Sequence, residues 1–557
     1  MATASLYSPD DRPNSGRQDE SAGCLDYDSV VRGVVSEEAW LATVAEALDL
    51  ECVDLSAARI DATLLESFPL KLIHRFNIFP IRRQGECLVV ATSDPLNLHA
   101  IDAASAATGL SVVPVLAPSS ELAKLIKAHL GVGAETIDEM LAQSGQRDDV
   151  QMLEDVEWDQ SEASQAAQEP SVVRLVNEIL HEAIEARASD IHLEAQGEGL
   201  KIRYRVDGVL QRQPTPPEIN RFQAAIVSRL KIMARLNIAE KRVPQDGRIK
   251  LKVQRREVDV RVSIIPMLHG EGIVMRILDK NRLQFSLRGV GMDEDVYRPF
   301  GKLIKLPHGI VLVTGPTGSG KTTTLYSALN EIKDEETKII TTEDPIEYQL
   351  EGINQIQVHP KVGLTFAASL RSILRHDPDV VLVGEIRDLE TAESAVQASL
   401  TGHLVFSTLH TNDAAGAFMR LADMGVEPFL VSSTVVGVMA QRLVRTLCRE
   451  CRRPYQPRPD ELPEDFSLDE LRRVGAVYRA VGCRHCRSTG YSGRVGLYEL
   501  LVTNDEIRKL AAERTPSHLI KHAAVAAGMR TLRQHGWRKV LQGATTIDEV
   551  VRVTATD

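Results

Sequence analysis

The sequence predicts an α/β protein built on a parallel sheet flanked by helices. A compact α+β domain and a smaller N-terminal α/β module are expected to precede it. Three observations carry that expectation. From about residue 295, short apolar runs (Ile310–Thr314, Lys338–Thr342, Val380–Val383, Leu404–Ser407) alternate with helical stretches, as strands and helices do around a parallel sheet. A glycine-rich loop, Gly315–Thr322, lies between the first run and the helical stretch Thr323–Asn330. Upstream, two sets of alternating apolar residues separated by polar turns read as hairpins of another domain.

At 557 residues the chain has room for two to four domains. With 43 % apolar and 25 % charged residues, it has the composition of a soluble globular protein. The net charge of −12 argues, at face value, against a polybasic anchor or a nucleic-acid coat. That charge is local: residues 135–169 hold eleven acids against Arg147 alone, and residues 1–28 hold six acids against two arginines. The remainder is close to neutral. The longest apolar stretch, Phe429–Ala440, falls short of the roughly 20 residues a membrane span needs. Met1–Pro13 lacks the basic and apolar segments of a secretory signal. Seven cysteines are too few for a disulfide scaffold, so a reducing cytoplasmic compartment is expected.

Residues 1–28 are too polar to offset ordering entropy and read as a disordered tail. A module over 29–132 follows. Ser36 is placed to cap a helix with Glu37 and Glu38 in its first turn and Trp40, Val44 and Leu48 at helical spacing, Leu41 and Ala45 alongside. Leu88–Ala91 reads as a short buried strand of the same module. The acidic stretch 133–169 reads as an extended linker. The α+β domain, 170–288, opens with an amphipathic helix through Val172, Leu175, Val176, Ile179, Leu180, Ala183 and Ile184. In Leu200–Val206 apolar residues alternate with Lys201, Arg203 and Arg205 before a turn at Asp207-Gly208. Ile249, Leu251 and Val253 alternate likewise, as do Val258, Val260 and Val262 beyond the turn at Gln254–Glu257.

In the remaining segment, 289–557, the loop Gly315-Pro316-Thr317-Gly318-Ser319-Gly320-Lys321-Thr322 matches G-x-x-x-x-G-K-[ST] at each specified position. Its glycines let backbone N–H groups surround a β-phosphate, Lys321 places a charge between β- and γ-phosphates, and the Thr322 hydroxyl can ligate Mg²⁺. Thr323 continues the loop into the helix, and the whole segment predicts ATP with Mg²⁺. The strand Val380–Val383 ends at Gly384-Glu385, where Glu385 can polarise the attacking water. Gly384 stands where an aspartate often precedes such a glutamate, so the metal contact is expected to run through water. Glu343 and Glu347 bound a second acidic cluster after Lys338–Thr342; read alone it is better explained as a solvated loop, and its place after a strand of the same sheet brings a catalytic part level with that explanation. His403 and His410 flank Leu404–Ser407, and one can sense a γ-phosphate unless both are ordinary structural histidines. Arg371 and Arg375 share a face of a helix expected over Phe366–Arg375, reaching either a phosphate or neighbouring acids.

Cys448-x-x-Cys451 and Cys483-x-x-Cys486 are two knuckles separated by 31 residues, within an insert at 447–490. Four thiolates provide a closed tetrahedral Zn²⁺ site, structural because no ligand position remains open. Two redox dithiols compete as an explanation, but neither pair follows a thioredoxin-like unit. Cys24, Cys52 and Cys87 have no such spacing and read as packing or surface residues.

As a set, the phosphate loop, the Glu343–Glu347 box, Gly384–Asp388, the Gly402–Asn412 histidine box and the paired cysteines resemble the secretion ATPases of type II secretion and type IV pilus assembly. Ala188–Glu194, Arg203–Gly208 and Arg242–Arg248 are similar to that family's domain preceding the motor. The resemblance implies a RecA-like P-loop ATPase motor domain, the preceding α+β domain, an N-terminal docking module and a Cys₄ zinc insert. It also implies a homo-hexamer with ATP between two domains of one subunit, where Arg205 and Arg229 from the first domain and Arg371 and Arg375 from the motor approach the phosphates. The implied motor is cytoplasmic and peripheral to the inner membrane. It is held by a membrane-anchored recruiting subunit and drives pseudopilus or pilus assembly through an inner-membrane platform protein, with no nucleic acid as partner. Some relatives bind a cyclic dinucleotide through an Arg-Leu-Gly motif that residues 29–70 lack, so that ligand is not expected. A kinase using the same loop would need an acceptor pocket, for which no sequence feature speaks. A nucleic-acid translocase is disfavoured by the near-neutral body, although Lys201, Arg203 and Arg205 could mimic a basic stripe.

Overall fold

The computed structural model describes residues 37–55, 60–61, 63–130, 150–152, 167, 169–253, 256–279 and 285–554. The tail, Ser36, Cys24, the tip of the 253–256 hairpin and most of the acidic linker lie outside the described residues. The chain divides into two compact units that meet at residues 138/139.

In the first unit three strands, β1 (Ile78–Gln84), β2 (Cys87–Thr92) and β3 (Ser111–Leu116), form one sheet. β1 runs antiparallel and β3 parallel to β2. β2 contains the expected strand and buries Leu88, Val89, Val90 and Ala91. The helix Glu37–Leu48 packs Trp40, Leu41 and Val44 with Leu116. Leu48, expected on that stripe, is the last residue of the helix and is 43 % exposed.

The second unit contains two seven-stranded sheets. The first comprises β4 (Val150–Met152), β5 (Ala188–Gln196), β6 (Gly199–Val206), β7 (Val209–Arg212), β8 (Gln245–Val253), β9 (Arg256–Met267) and β10 (Gly270–Asp279), in the order β4-β8-β9-β10-β5-β6-β7. β4 corrects the linker reading in part: Val150–Met152, an uncharged interruption of the acidic stretch, pairs as an edge strand on β8. The helix Pro170–Glu185 starts with proline at its first turn and buries all seven apolar positions expected of it. β6 and β7 form the expected hairpin. Asp207 and Gly208 both have positive φ, 49° and 87°, as a two-residue hairpin turn of matching twist requires.

The three cations of β6 do not make a basic stripe. Lys201 lies 3.0 Å from Glu198, Arg203 pairs with Glu194, and Arg205 lies 3.5 Å from Asp190. The neighbouring strand β5 supplies Asp190 opposite Arg205, so the strand face is locally neutral.

The second sheet holds β11 (Gly309–Thr314), β12 (Ile339–Glu343), β13 (Asn354–Gln357), β14 (Val380–Val383), β15 (Leu404–Leu409), β16 (Val435–Leu447) and β19 (Tyr491–Val502), in the order β13-β12-β14-β15-β11-β16-β19. All neighbours are parallel except β16 and β19. β11 lies between β15 and β16 with every residue buried, which explains its unbroken apolar sequence. The apolar stretch at 429–440 divides into the helix Pro428–Thr434 and the start of β16. Between β16 and β19, a small ribbon of β17 (Arg453–Tyr455) and β18 (Val477–Arg479) carries the cysteine insert. Among the described residues no helix is long and apolar enough to cross a membrane.

Candidate active site and metal centre

Three loops converge because their strands are parallel neighbours. Thr314 of β11 pairs with Leu409 of β15, and Val383 of β14 pairs with Ser407 of β15. The residues just beyond these strand ends are therefore Gly315, His410 and Gly384-Glu385, all at one edge of the sheet. Gly315 has φ 146°, and a Cβ there would stand 2.5 Å from the Gln441 carbonyl oxygen and 2.7 Å from Ser319 Oγ, so only glycine fits. Gly320, at φ 89°, leads into the helix Lys321–Ile332, whose first N–H groups open toward the loop. Lys321 Nζ donates to the carbonyls of Gly315 (2.8 Å) and Pro316 (3.1 Å). Burial pulls its pKa down, and the nearby Glu385 charge opposes that shift. Ser319 Oγ is buried without a hydrogen-bond partner among the described residues, and Thr322 is exposed. An orphaned hydroxyl and an open threonine beside a lysine fit a magnesium triphosphate.

Glu385 meets Arg387 at 2.5 Å and His410 Nε2 at 3.4 Å. His410 is thus the histidine at the site. His403 Nδ1 instead contacts the Ala398 carbonyl at 2.9 Å and belongs to a local turn. A Cβ on Gly384 would sit 3.2 Å from the Thr342 carbonyl and 3.3 Å from the Phe366 ring. The close approach of Gly384 to the end of β12 leaves little room for the side chain of the aspartate that often precedes such a glutamate.

The second acidic cluster separates into two environments. Glu343 is buried and accepts from Thr341 Oγ1 (2.6 Å), Gln355 Nε2 (3.1 Å) and Tyr326 Oη. Those donors occupy both its oxygens. Glu347 meets Arg261 of β9 at 2.9 Å, and Arg261 Nη2 also donates to the Ile346 carbonyl at 3.2 Å.

The four arginines expected at the phosphates lie in separate settings. Arg371 forms a 2.7 Å ion pair with Glu390, and the helix ends at Ile373, so Arg375 lies beyond it and donates to the Arg371 carbonyl at 2.8 Å. The neighbouring-acid explanation therefore holds for Arg371. Arg229 is buried within the helix Gln223–Met233, and Arg205 donates to the Gly208 carbonyl besides meeting Asp190. The cations that line the cleft between the two sheets are Arg248, Arg261 and Arg276. This cleft of about 500 Å³ is closed on the motor side by Pro345, Ile346 and Gln357. Arg261 was missed although it alternates with apolar residues along an expected strand, because only the sheet order reveals which face meets the motor; Arg276 lies on β10, a strand the sequence reading did not include.

The four sulfurs of Cys448, Cys451, Cys483 and Cys486 lie within 4.8 Å of one another. The Sγ–Sγ separations are 3.8 Å for Cys448–Cys483 and 3.7 Å for both Cys451–Cys486 and Cys483–Cys486. A tetrahedron with ligands about 2.3 Å from zinc has edges of about 3.8 Å, so the cluster fits Zn²⁺. Burial raises the Cys486 thiol pKa, but amide donors from Cys483 and Gly490 outweigh it and hold the thiol at about 7. Cys52 is exposed and Cys87 half-buried, and both are free.

A parallel sheet that ends in this glycine-rich loop, with a lysine, a glutamate and a histidine converging on it, defines a RecA-like ATPase. The chain belongs to the type II/IV secretion system protein family, whose pattern residues 165–552 match; residues 48–136 match the MshEN domain. It is 46 % identical to type II secretion system protein E of Xanthomonas campestris pv. campestris over 536 residues, 94 % of this chain and 91 % of that protein. It is 41 % identical to the type IV pilus assembly ATPase PilB of Myxococcus xanthus, covering 95 % of this chain and 93 % of PilB. The fold is that of the Legionella pneumophila ATPase DotB, with a TM-score of 0.50, 22 % identity and coverage of 68 % of this chain and 95 % of that one.

Proposed function

We propose that the chain is the ATP-hydrolysing motor of a type II secretion system, working as a homo-hexamer on the cytoplasmic face of the inner membrane. The convergence of Lys321, Glu385 and His410 at one sheet edge carries the hydrolytic part of that reading. The names of relatives at 46 % and 53 % identity favour type II secretion. PilB, at 41 % over nearly the whole chain, supports type IV pilus assembly as the second reading. Residues 29–132 serve as the docking module for a membrane-anchored recruiting subunit, the acidic stretch 133–169 apart from its strand β4 as the tether, and 170–288 and 289–557 as the two halves that move against each other.

In the proposed mechanism the backbone N–H groups of Gly318–Thr322 and the Lys321 ammonium bind the triphosphate. Thr322 holds Mg²⁺, which when bound neutralises charge on the β- and γ-phosphates. Glu385 orients and polarises the attacking water, with His410 beside it to register the γ-phosphate. Arg261, Arg248 and Arg276 supply cations from the α+β domain. A phosphate competes with Glu347 for Arg261, so nucleotide occupancy alters a contact joining the two halves. Arg261→Ala is expected to raise KM for ATP about tenfold, the loss of one hydrogen bond to a charged group, as read in steady-state assays.

Phosphate release from purified protein and MgATP, with no acceptor or DNA added, tests the reading. Turnover that requires an acceptor would make the chain a kinase, and strong stimulation by DNA would make it a translocase. Complementation of strains lacking either the secretion or the pilus motor separates the two cellular readings.

A further inference from the structure

We propose that Glu499 is a positioning residue for hydrolysis, holding the loop that carries His410 in register with the phosphate site. The proposal rests on the ATPase reading above. Glu499 interrupts the apolar run Leu497–Leu501 in β19 and is 1 % exposed. Strand register places it opposite Ala440, Ala440 opposite Thr314, and Thr314 opposite Leu409. Glu499 therefore shares one row of the sheet with the residues immediately before Gly315 and His410.

Both its oxygens are committed to backbone N–H groups. Oε1 accepts from Ala414 at 2.8 Å and Oε2 from Leu532 at 3.1 Å. A carboxylate this deeply buried is costly unless it is fully hydrogen-bonded, so such a position is kept by the bonds it makes. Ala414 closes the loop that leaves β15. That loop is pinned at its other end, where Thr411 N donates to Thr314 Oγ1 at 2.8 Å. Arg442 Nη2 holds its middle through the Asn412 carbonyl at 3.0 Å. His410 stands at the head of this pinned segment, with Nε2 3.4 Å from Glu385. Releasing Ala414 frees one anchor of the segment, and displacements of about 1 Å near reacting groups cost rate steeply.

Glu499→Gln keeps the volume but presents an NH₂ group where one oxygen accepted an N–H. The expected result is a fall in kcat of about tenfold with KM for ATP within twofold, and Glu499→Asp, still a double acceptor, recovers part of the loss. Leu532→Pro serves as the control, deleting the second hydrogen bond together with part of a buried apolar side chain. Leu532 is the first residue of its helix, where proline is tolerated, and Thr531 already has the extended conformation (φ −71°, ψ 159°) that a residue preceding proline needs. That variant should keep kcat within twofold despite lower stability. Unchanged kcat in Glu499→Gln, or equal losses in both variants, overturns the proposal. Hydrogen exchange of the wild-type protein decides it even if a variant fails to fold: the Ala414 amide should be the slowest of residues 409–416, and fast exchange there overturns the assignment. Failure of the ATPase reading would be seen instead as no acceptor-independent phosphate release from the wild-type protein with MgATP, so the two failures are read from different measurements.

Discussion

Glu385→Gln should bind ATP within about threefold of wild type while hydrolysis falls by about 10²–10³-fold, the range for removing a positioned general base. Glutamine preserves the size of the side chain and its place beyond β14, so the loop that binds phosphate is unaltered. It removes the negative charge that faces Lys321, His410 and Arg387. The loss corresponds to roughly 3–4 kcal/mol of transition-state stabilisation. Near-equal affinity is expected because the proposed mechanism gives the ground-state contacts to Lys321 and the backbone N–H groups and the water to the glutamate. Single-turnover phosphate release and equilibrium nucleotide binding on the same preparation separate the two effects. Hydrolysis within fivefold of wild type would remove Glu385 from the water-activating role. A matching loss of affinity would mean that it mainly organises the loop.

What was legible in the sequence was local. The stripe of Pro170–Glu185 was readable because helical periodicity is written in adjacent turns. The Asp207-Gly208 turn was readable because few residue pairs accept two positive φ values. The phosphate loop and cysteine knuckles were readable because their chemistry depends on spacing along the chain. Contacts set by sheet order were not. Arg205 and Arg261 both alternate with apolar residues on expected strands, yet the cleft is lined by Arg261 of β9, whereas Arg205 of β6 is not among its lining residues. Glu343 and Glu347 are four residues apart, but one is enclosed by Tyr326 and Gln355 and the other meets Arg261. Arg371 finds its partner Glu390 on another helix. Glu499 left a visible trace, a single acid within an apolar strand, whose meaning depends on the row formed by four strands.

Cys451→Ser, or complete chelation, should remove about one equivalent of zinc per chain and lower the melting temperature of the motor half by roughly 8–15 °C. The location of the centre accounts for the size of the effect. Cys448 directly follows β16, and the turn after Cys486 runs through Gly490 into β19. An ion held there would therefore close a long insertion between two strands paired along most of their length. Cys448 N donates to the Gly490 carbonyl at 2.9 Å, so the knuckle and the mouth of this hairpin are one structure. Binding at a thousand times Kd stabilises by about 4 kcal/mol, and each kcal/mol shifts the midpoint by about 2–4 °C in a domain of this size. Nucleotide affinity should stay within about threefold, because Gln441 at the phosphate loop lies seven residues along β16 from Cys448, roughly 23 Å at the rise of a strand. Metal analysis with thermal unfolding, with and without chelator, decides the matter. A redox dithiol pair would instead respond to reductant and be indifferent to chelation, with less than about half an equivalent of zinc in the purified protein.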